Sequence, residues 1–416
     1  MRRLRYLLSR FFFIAMGLSV TKWRKEVEAL WALPETERLK KIENQLNFNR
    51  PLNASGEEVT SLKQLYESAP LLKKALREHP QKIKYPTTCW RFNRHTSGTT
   101  GEPTHITLSR EELGKMLGVR DYCFRHHGLK LGQREARLWS RSECDVKSRV
   151  KNFLMNRRGF HPVGIEARRE LLELLHWRPD YIYGYASLLL EAAKILDKLN
   201  VQFKPPKCVV CTAESILPSQ KVYISNKFKA PVVEEYGSTE FDVIAFECLG
   251  GHRHLVNPWV VVEEGENGCL VSDVSRKTQG LIRYNLGDMI KMSETEFRTL
   301  GNSIYIEELQ GRTINRFFYI SESEVFHASV FSGIFDRYFR ESNEIFSFFL
   351  EQNRYSVLQV FIDVIPRKSE SNLREFIEQE IRRKTGASVW VEVFTISDTE
   401  KRSKRNYFQQ NIKLPI

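Results

Sequence analysis

Two short stretches decide how this chain is read: Thr96-Ser-Gly-Thr-Thr-Gly-Glu-Pro103 and Glu234-Glu-Tyr-Gly-Ser-Thr-Glu240. In the first, Gly98 and Gly101 let the backbone turn tightly and aim its N–H groups at an anion. The hydroxyls of Thr96, Ser97, Thr99 and Thr100 add further donors, as a loop cradling a polyphosphate requires. No Lys-Ser/Thr pair follows the second glycine, so this is not a Walker A loop. The second stretch follows a β-branched run, Pro231–Glu234, that reads as a buried strand. Tyr236 and Gly237 offer a flat ring and an exposed backbone for a base. Thr239 and Glu240 put a hydroxyl and a hard carboxylate where a Mg²⁺-bound phosphate could be met. A third stretch, Leu281-Ile-Arg-Tyr-Asn-Leu-Gly-Asp288, ends in a carboxylate able to accept both hydroxyls of a ribose. Each alone has a plain alternative, a strand end or a connecting turn. Their succession is the signal.

Outward from these stretches, short β-branched strands alternate with helical stretches. Ala167–Leu175 and Ser187–Leu199 read as helices, and the alternation argues for an α/β architecture with crossover connections. Residues 1–80 read as a helical segment of the large domain, stopped at His79-Pro80. Residues 81–311 read as the ligand-binding core. Beyond Gly311-Arg312 the pattern changes to strands over Phe346–Glu351 and Val357–Val364, a helix over Asn372–Lys384 and a strand over Ser388–Thr395. Residues 312–416 therefore read as a compact α+β domain of their own.

The composition of the 416 residues is ordinary for a globular chain: 41% hydrophobic, 28% charged, 22 Gly and 15 Pro. Disorder, collagen and coiled coil are excluded as descriptions of the whole. The 64 basic and 51 acidic residues leave +13, which suits phosphate-bearing ligands, acidic carrier proteins or an anionic membrane. Nucleic acid is set aside, because the basic residues are interspersed with acids and no known binding module appears. Seven scattered cysteines fit a reduced cytoplasmic protein rather than a disulfide framework. Cys208 and Cys211 form a CxxC inside an apparent buried strand, so packing is expected of them. His126-His127 reads as a helix face. Cys248, His252, His254 and Cys269 have ligand chemistry and close spacing but match no recognised zinc pattern.

At the N-terminus, Arg2, Arg3, Arg5 and Arg10 accompany Leu4, Leu7, Leu8, Phe11, Phe12 and Ala15 at helical spacing. The apolar run is too short to span a bilayer, and Lys22, Arg24 and Lys25 stand where a signal-peptide cleavage site would be. A basic amphipathic helix is expected, packed by its apolar stripe on the body or docked on a membrane surface.

Taken in order, Thr-Ser-Gly-Thr-Thr-Gly-x-Pro, Tyr-Gly-Ser-Thr-Glu, Arg-Tyr-x-x-Gly-Asp and Gly-Arg resemble the motifs of the adenylate-forming (acyl-adenylating) superfamily. Among its branches the chain looks most like the phenylacetate–CoA ligase type, which includes CapK-like proteins. Supporting details are Pro179-Asp-Tyr-Ile-Tyr-Gly-Tyr-Ala-Ser187, Thr212-Ala-Glu-Ser-Ile-Leu-Pro218, and Glu247-Cys248 followed by His254-Leu. The resemblance runs from about residue 85 to the C-terminus. It implies a large N-terminal domain and a small mobile C-terminal domain.

The resemblance also implies roles. Thr96, Ser97, Gly98, Thr99, Thr100 and Gly101 would hold the β- and γ-phosphates of ATP. Ala213, Glu214, Glu235, Tyr236 and Gly237 would line the adenine and part of the acyl pocket. Glu240 would bind Mg²⁺, Asp288 the ribose hydroxyls and Arg312 the ribose or α-phosphate side. Trp139, Tyr183, Tyr185 and Tyr236 would face an aromatic or apolar carboxylic acid, with core filling as the alternative. Lys404, with Lys401 in reserve, would be the catalytic lysine of the C-terminal domain. The acyl acceptor would be CoA, with an acidic carrier protein, an amine or a sugar hydroxyl as rivals; a non-catalytic nucleotide-binding scaffold is the competing class. Two departures stand out. Thr104 replaces the lysine that many relatives carry after the loop proline, and no acidic hinge residue follows Arg312.

Overall fold

The computed structural model describes residues 2–85, 91–95, 104–139, 146–163, 165–199, 201–297, 299–312, 317–328, 330–363, 370–396 and 408–412. The loop Thr96–Gly101, both Lys401 and Lys404, and the side chain of Arg312 lie outside the described residues. The chain divides into two compact units, neither continuous in sequence: Met1–Gln133 with Leu154–Asn156 and Val233–Leu309, and Arg134–Phe153 with Arg157–Val232 and Gln310–Ile416.

The first unit is organised around the helix Arg110–His126. Ser109 and Glu112 form a reciprocal capping box at its start: the Ser109 hydroxyl accepts the Glu112 N–H, and the Glu112 carboxylate accepts the Ser109 N–H at 2.6 Å. Gly114 and Gly118 then keep one face bare. A Cβ on Gly114 would lie 2.2 Å from the Leu18 carbonyl oxygen, and one on Gly118 2.6 Å from Cβ of Trp23. The helix Val20–Ala32 therefore crosses at close range, with Trp23 and Val27 buried. Against this pair stand a hairpin of Arg91–His95 with His105–Ser109 and an antiparallel run of Val232–Ser238, Asp242–Glu247 and Arg253–Leu255. A three-stranded sheet follows, Val260–Glu263, Leu270–Asp273 and Leu281–Asn285.

In the second unit, Cys208–Thr212, Tyr181–Tyr185, Glu135–Leu138 and Arg157–Phe160 lie side by side, all parallel. Ala136, Leu138, Ile182, Val209 and Cys211 join a core with the helices Ala167–Trp177 and Ala186–Lys198. Gly184 is needed there, because a Cβ would come within 2.7 Å of Leu138. The C-terminal part carries a mixed sheet in the order Trp390–Thr395, Val357–Ile362, Phe348–Arg354, Phe408–Gln410. The helices Val330–Ser342 and Glu370–Thr385 cover it through Phe331, Phe335, Ile377 and Ile381. Within these residues lies the α+β pattern expected after Arg312.

Several local expectations are met within a residue or two, including both helices of the α/β region and the buried strand holding Cys208 and Cys211, which are free thiols. Three differ. The helical N-terminal region is broken between Asn49 and Leu62, where Arg50 takes a left-handed conformation and ends a helix. The strand expected over Pro231–Glu234 runs on to Ser238, so Tyr236 and Gly237 belong to a strand and not to the turn after it. The helix Arg2–Ala15 packs with the opposite side from the one its periodicity favours. Ser9 and Phe13 are buried, while Leu4, Leu7, Phe11 and Ile14 are each at least 60% exposed. The reason is close approach: a Cβ on Gly132 would lie 2.9 Å from the Ser9 hydroxyl, a fit that a larger residue at position 9 would prevent. Among the described residues no single helix is long and apolar enough to cross a membrane; Arg3–Ala15 and Val20–Ala32, bent by 84°, reach that only as a pair.

Glu112 does more than cap. Its carboxylate also accepts the Lys277 N–H at 2.6 Å, the Thr278 N–H at 3.1 Å and the Thr278 hydroxyl at 2.8 Å. Burial alone would raise its pKa. Arg276 and these donors outweigh that and hold it below 4.5. A carboxylate depressed in the folded state stabilises the protein above its unfolded pKa, and that contribution is lost as pH falls through the folded value. Glu112→Gln is therefore expected to cost about 1–3 kcal/mol at pH 7 and to flatten the loss of stability below pH 4.5. Thermal melts across pH check this; parallel curves for the two proteins would remove Glu112 from the account.

Candidate active site

In the first unit, the second and third sequence motifs meet. Tyr236, on the strand Val232–Ser238, donates its hydroxyl to Asp288 Oδ2 at 3.1 Å. Tyr284, on the strand Leu281–Asn285, donates to Glu240 Oε1 at 2.9 Å. Each motif thus supplies one tyrosine and one carboxylate, and the bonds run in opposite directions between the same two segments. Burial, followed by the Asp288 charge, pushes the Tyr236 phenol far above its usual value, so it stays a hydrogen-bond donor at every working pH. Asp288 opens its strand directly after Gly287, whose φ of +76° is the left-handed turn that a glycine makes at low cost. The Asn285 side chain closes that turn by accepting the Gly287 N–H at 2.7 Å.

Glu240 is 4% exposed. Its main-chain carbonyl accepts from the fully buried Arg276, whose Nε also donates to Asp273 at 2.9 Å. No cationic side chain among the described residues pairs with the Glu240 carboxylate. A buried carboxylate held by a neutral hydroxyl suits a hard cation that takes oxygen ligands, so the residues present fit Mg²⁺.

Three residues expected to line the base are taken up by the fold itself. The Glu235 carboxylate is gripped by both Arg120 nitrogens, at 2.7 and 3.2 Å, and Arg120 reaches on to Asp242 at 3.0 Å. Glu235 is therefore a scaffold anchor, and only its backbone remains for a ligand. Gly237 sits where the pairing between Val232–Ser238 and Asp242–Glu247 shifts register. A Cβ there would lie 1.9 Å from the Asp242 carbonyl oxygen, so the glycine serves the bulge rather than an open approach to a base. Tyr236 is 8% exposed and packs in the core with Phe241 and Ile244, so little of its ring is open for stacking.

The second unit holds the other candidates. Ala213 directly follows the strand Cys208–Thr212 and has φ +64°. A left-handed alanine costs about 1–2 kcal/mol, and such strain collects at ligand sites. The Glu214 carboxylate accepts the Ser187 N–H at 2.9 Å, at the start of the helix Ala186–Lys198, where the helix dipole favours a negative charge. Trp139, Tyr183 and Tyr185 form one stack: Trp139 lies 4.0 Å from Tyr185 and 6.0 Å from Tyr183, centroid to centroid.

The sequence reading missed Arg137. Its guanidinium lies 5.0 Å over Tyr183 and 5.5 Å over Trp139, and its Nε reaches Glu135 at 2.7 Å. Strand alternation already places Glu135, Arg137 and Trp139 on one face, and the parallel register sets them beside Tyr181 and Tyr183. A cation therefore lies beside the aromatic stack, in which Tyr183 and Tyr185 are 5% and 9% exposed and Tyr185 belongs to the core.

The structure thus brings Glu235, Tyr236, Gly237, Glu240 and Asp288 together in one unit. Ala213 and Glu214 flank the start of one helix in the other unit, where Trp139, Tyr183 and Tyr185 form their stack.

No family model matches the sequence, and no curated protein matches it. Solved structures do. The chain is similar to 2-hydroxyisobutyryl-CoA ligase in the postadenylation state in complex with 2-HIB-AMP, at 17% identity over 91% of this chain and 90% of that one, with a TM-score of 0.67. An open conformation of the same ligase with 2-HIB-AMP and CoA gives 17% identity, 90% and 92% coverage and a TM-score of 0.54. The anthranilate CoA ligase AuaEII in complex with anthranoyl-AMP gives 14%, 72% and 62%, and 0.50. The chain has the adenylate-forming ligase fold, with a large α/β domain and a smaller C-terminal domain.

Gly237→Ala separates packing from ligand approach. Backbone overlap in the bulge is expected to destabilise the protein by about 1–3 kcal/mol or more, as overpacking does, with no ligand present. An unchanged urea midpoint would return Gly237 to a ligand-facing role.

Proposed function

We propose that this chain activates a carboxylic acid with ATP, as an acyl-adenylate, and transfers the acyl group to a thiol such as that of CoA. The observation that carries the reading is the pair of reciprocal bonds, Tyr236 to Asp288 and Tyr284 to Glu240, in a fold shared with ligases solved with acyl-adenylates. The substrate carboxylate oxygen attacks the α-phosphorus of ATP, and the bond to the bridging oxygen of pyrophosphate breaks. The acceptor thiol then attacks the acyl carbon, and AMP leaves with the oxygen it gained. Asp288 holds the ribose hydroxyls in this scheme, and Tyr236 fixes the carboxylate that does so. Glu240 would hold Mg²⁺, which supplies neutralising charge to the phosphates. The loop Thr96–Gly101 receives the phosphates, Arg312 the ribose side, and Lys404 or Lys401 the charge that spreads during transfer.

The acid bound beside Trp139, Tyr183 and Tyr185 is aromatic or largely apolar, as in the phenylacetate–CoA ligase and CapK-like branch. Arg137 adds a place for a polar substituent, by its position over two of the rings. An acidic carrier protein is the rival acceptor, by charge.

ATP–pyrophosphate exchange over a panel of carboxylic acids tests this reading. Exchange with an aromatic acid is expected, with the ATP requirement raised about 10–100-fold by Asp288→Asn, the range for losing a hydrogen bond to a charged group. Lys404→Ala is expected to slow adenylation about 10²–10³-fold. Silence across a wide panel would turn the reading to a nucleotide-binding scaffold, and AMP release quickened only by an amine or hydroxyl would overturn the thiol acceptor.

The exposed face of the helix Arg2–Ala15 fits an anionic lipid surface. Leu4, Leu7, Phe11 and Ile14 point away from the body, with the basic Arg3 also exposed. This would hold a cytoplasmic enzyme at the membrane. Flotation of the full chain with phosphatidylglycerol-containing vesicles is expected, and Phe11→Glu should abolish it. Equal flotation of the variant, or of the native chain with neutral vesicles, would contradict the docking face.

A further inference from the structure

The strands Asp242–Glu247 and Arg253–Leu255 are joined by Cys248-Leu-Gly-Gly-His252. This turn is closed by the Cys248 N–H to the His252 carbonyl at 2.9 Å and the Gly251 N–H to the Cys248 carbonyl at 3.0 Å. It brings one donor atom from each of Cys248, His252 and His254 to within 4.8 Å of one another. None of the three has a part in the adenylation chemistry.

We propose that Cys248, His252 and His254 bind a zinc ion, making the hairpin a metal-pinned element of the first unit.

Each ligand is prepared for that role. The Gly250 N–H donates to Cys248 Sγ at 3.3 Å, which holds the sulfur within the turn. His254 Nδ1 lies 2.7 Å from the Asn302 carbonyl oxygen. A carbonyl only accepts, so the hydrogen is on Nδ1 and the lone pair is on Nε2. That is the tautomer and second-sphere contact a metal-bound histidine uses. The Thr299 hydroxyl, 3.1 Å away, donates to that lone pair and would give way to a metal ion. His252 Nδ1 is buried with no hydrogen-bond partner among the described residues, and Phe297 and Tyr305 hold its ring at 4.6 Å each. A buried ring nitrogen without a partner is costly, and a metal ion would satisfy it.

Gly250 lies against two of the ligand atoms. A Cβ on Gly250 would stand 3.4 Å from His252 Nδ1 and 3.6 Å from Cys248 Sγ. Tetrahedral zinc with Zn–S near 2.3 Å and Zn–N near 2.0 Å sets its ligands about 3.3–3.8 Å apart. The trio thus closes by roughly 1 Å on binding, within reach of side-chain rotation.

One thiolate with two imidazoles selects zinc over the hard cations that Glu240 suits. Binding replaces the thiol proton with the metal and releases it to solvent. The consequence is mechanical. His254 pairs with Tyr305 in the neighbouring strand, the strand that runs on to Arg312, so the ion would stiffen the start of that strand. This inference does not rest on the proposed ligase activity.

The test is metal content and spectroscopy on the full chain. After equilibration with zinc and desalting, elemental analysis is expected to find about one zinc per chain, reduced at least about tenfold by Cys248→Ser or His252→Ala. With cobalt instead, the native protein should show a thiolate-to-cobalt charge-transfer band and strong tetrahedral visible bands, and Cys248→Ser should lose the first. The cobalt spectrum of the native chain decides the matter even if a variant folds poorly. Negligible zinc in the native protein, zinc retained equally by Cys248→Ser, or a cobalt spectrum without a thiolate band would each overturn the proposal.

Discussion

The candidate site depends on two hydrogen bonds that run in opposite directions between the same two segments. Tyr236 donates to Asp288, and Tyr284 donates to Glu240. A single such bond would let either segment pivot; the pair fixes the separation and mutual orientation of the two segments that carry the carboxylates, Glu240 in the turn after the strand Val232–Ser238 and Asp288 at the start of its own strand. Tyrosine suits this task because its ring belongs to the core while its hydroxyl reaches a polar edge. Both rings lie in the same apolar cluster, so the carboxylates are positioned by the packing of the unit and not by surface contacts. For Tyr236, burial and the facing charge of Asp288 hold the phenol in its protonated form.

Behind that pair lies a layer of buried charge. Arg276, with no exposed surface, joins Asp273 to the carbonyl of Glu240, and its charge also reaches Glu112 at the start of the central helix. Arg120 does the equivalent from the middle of that helix, holding Glu235 and Asp242 on either side of the Gly237 bulge. Removing one partner from such a group leaves an uncompensated charge in the interior, so the set is retained or lost as a whole. The helix Arg110–His126 thus sets the positions of the strand Val232–Ser238 through arginine, and of the segment after Asp273 through Glu112.

Much of this was legible where residue type and chemistry coincide. The ordered motifs name the carboxylates and tyrosines of the site, and β-branched runs mark the buried strands. What was hidden depends on partners far away in sequence. Nothing near Glu235 reveals that Arg120, 115 residues earlier, takes its carboxylate. The register shift that requires Gly237 belongs to the pairing with Asp242–Glu247, which no window around the glycine contains. For the first helix, periodicity identified the apolar stripe but not its side of contact. The small contact between Ser9 and Gly132 decided the orientation against the larger residues. Alternation with Trp139 puts Arg137 on the same face, but a charged residue among aromatic rings runs against the apolar expectation, and only the pairing with Tyr181–Tyr185 reveals its place.

The central claim is that a carboxylate oxygen becomes bonded to the α-phosphorus of ATP. The most direct measurement supplies the acid with both carboxylate oxygens labelled with ¹⁸O, together with ATP and acceptor, and examines the released nucleotide by mass spectrometry. The account predicts that AMP carries one labelled oxygen, the one left behind when the acyl carbon passes to the acceptor. Label in inorganic phosphate with ADP as the nucleotide product would mean an acyl phosphate instead, and unlabelled AMP would mean that the acid never attacked ATP; either result would contradict the account.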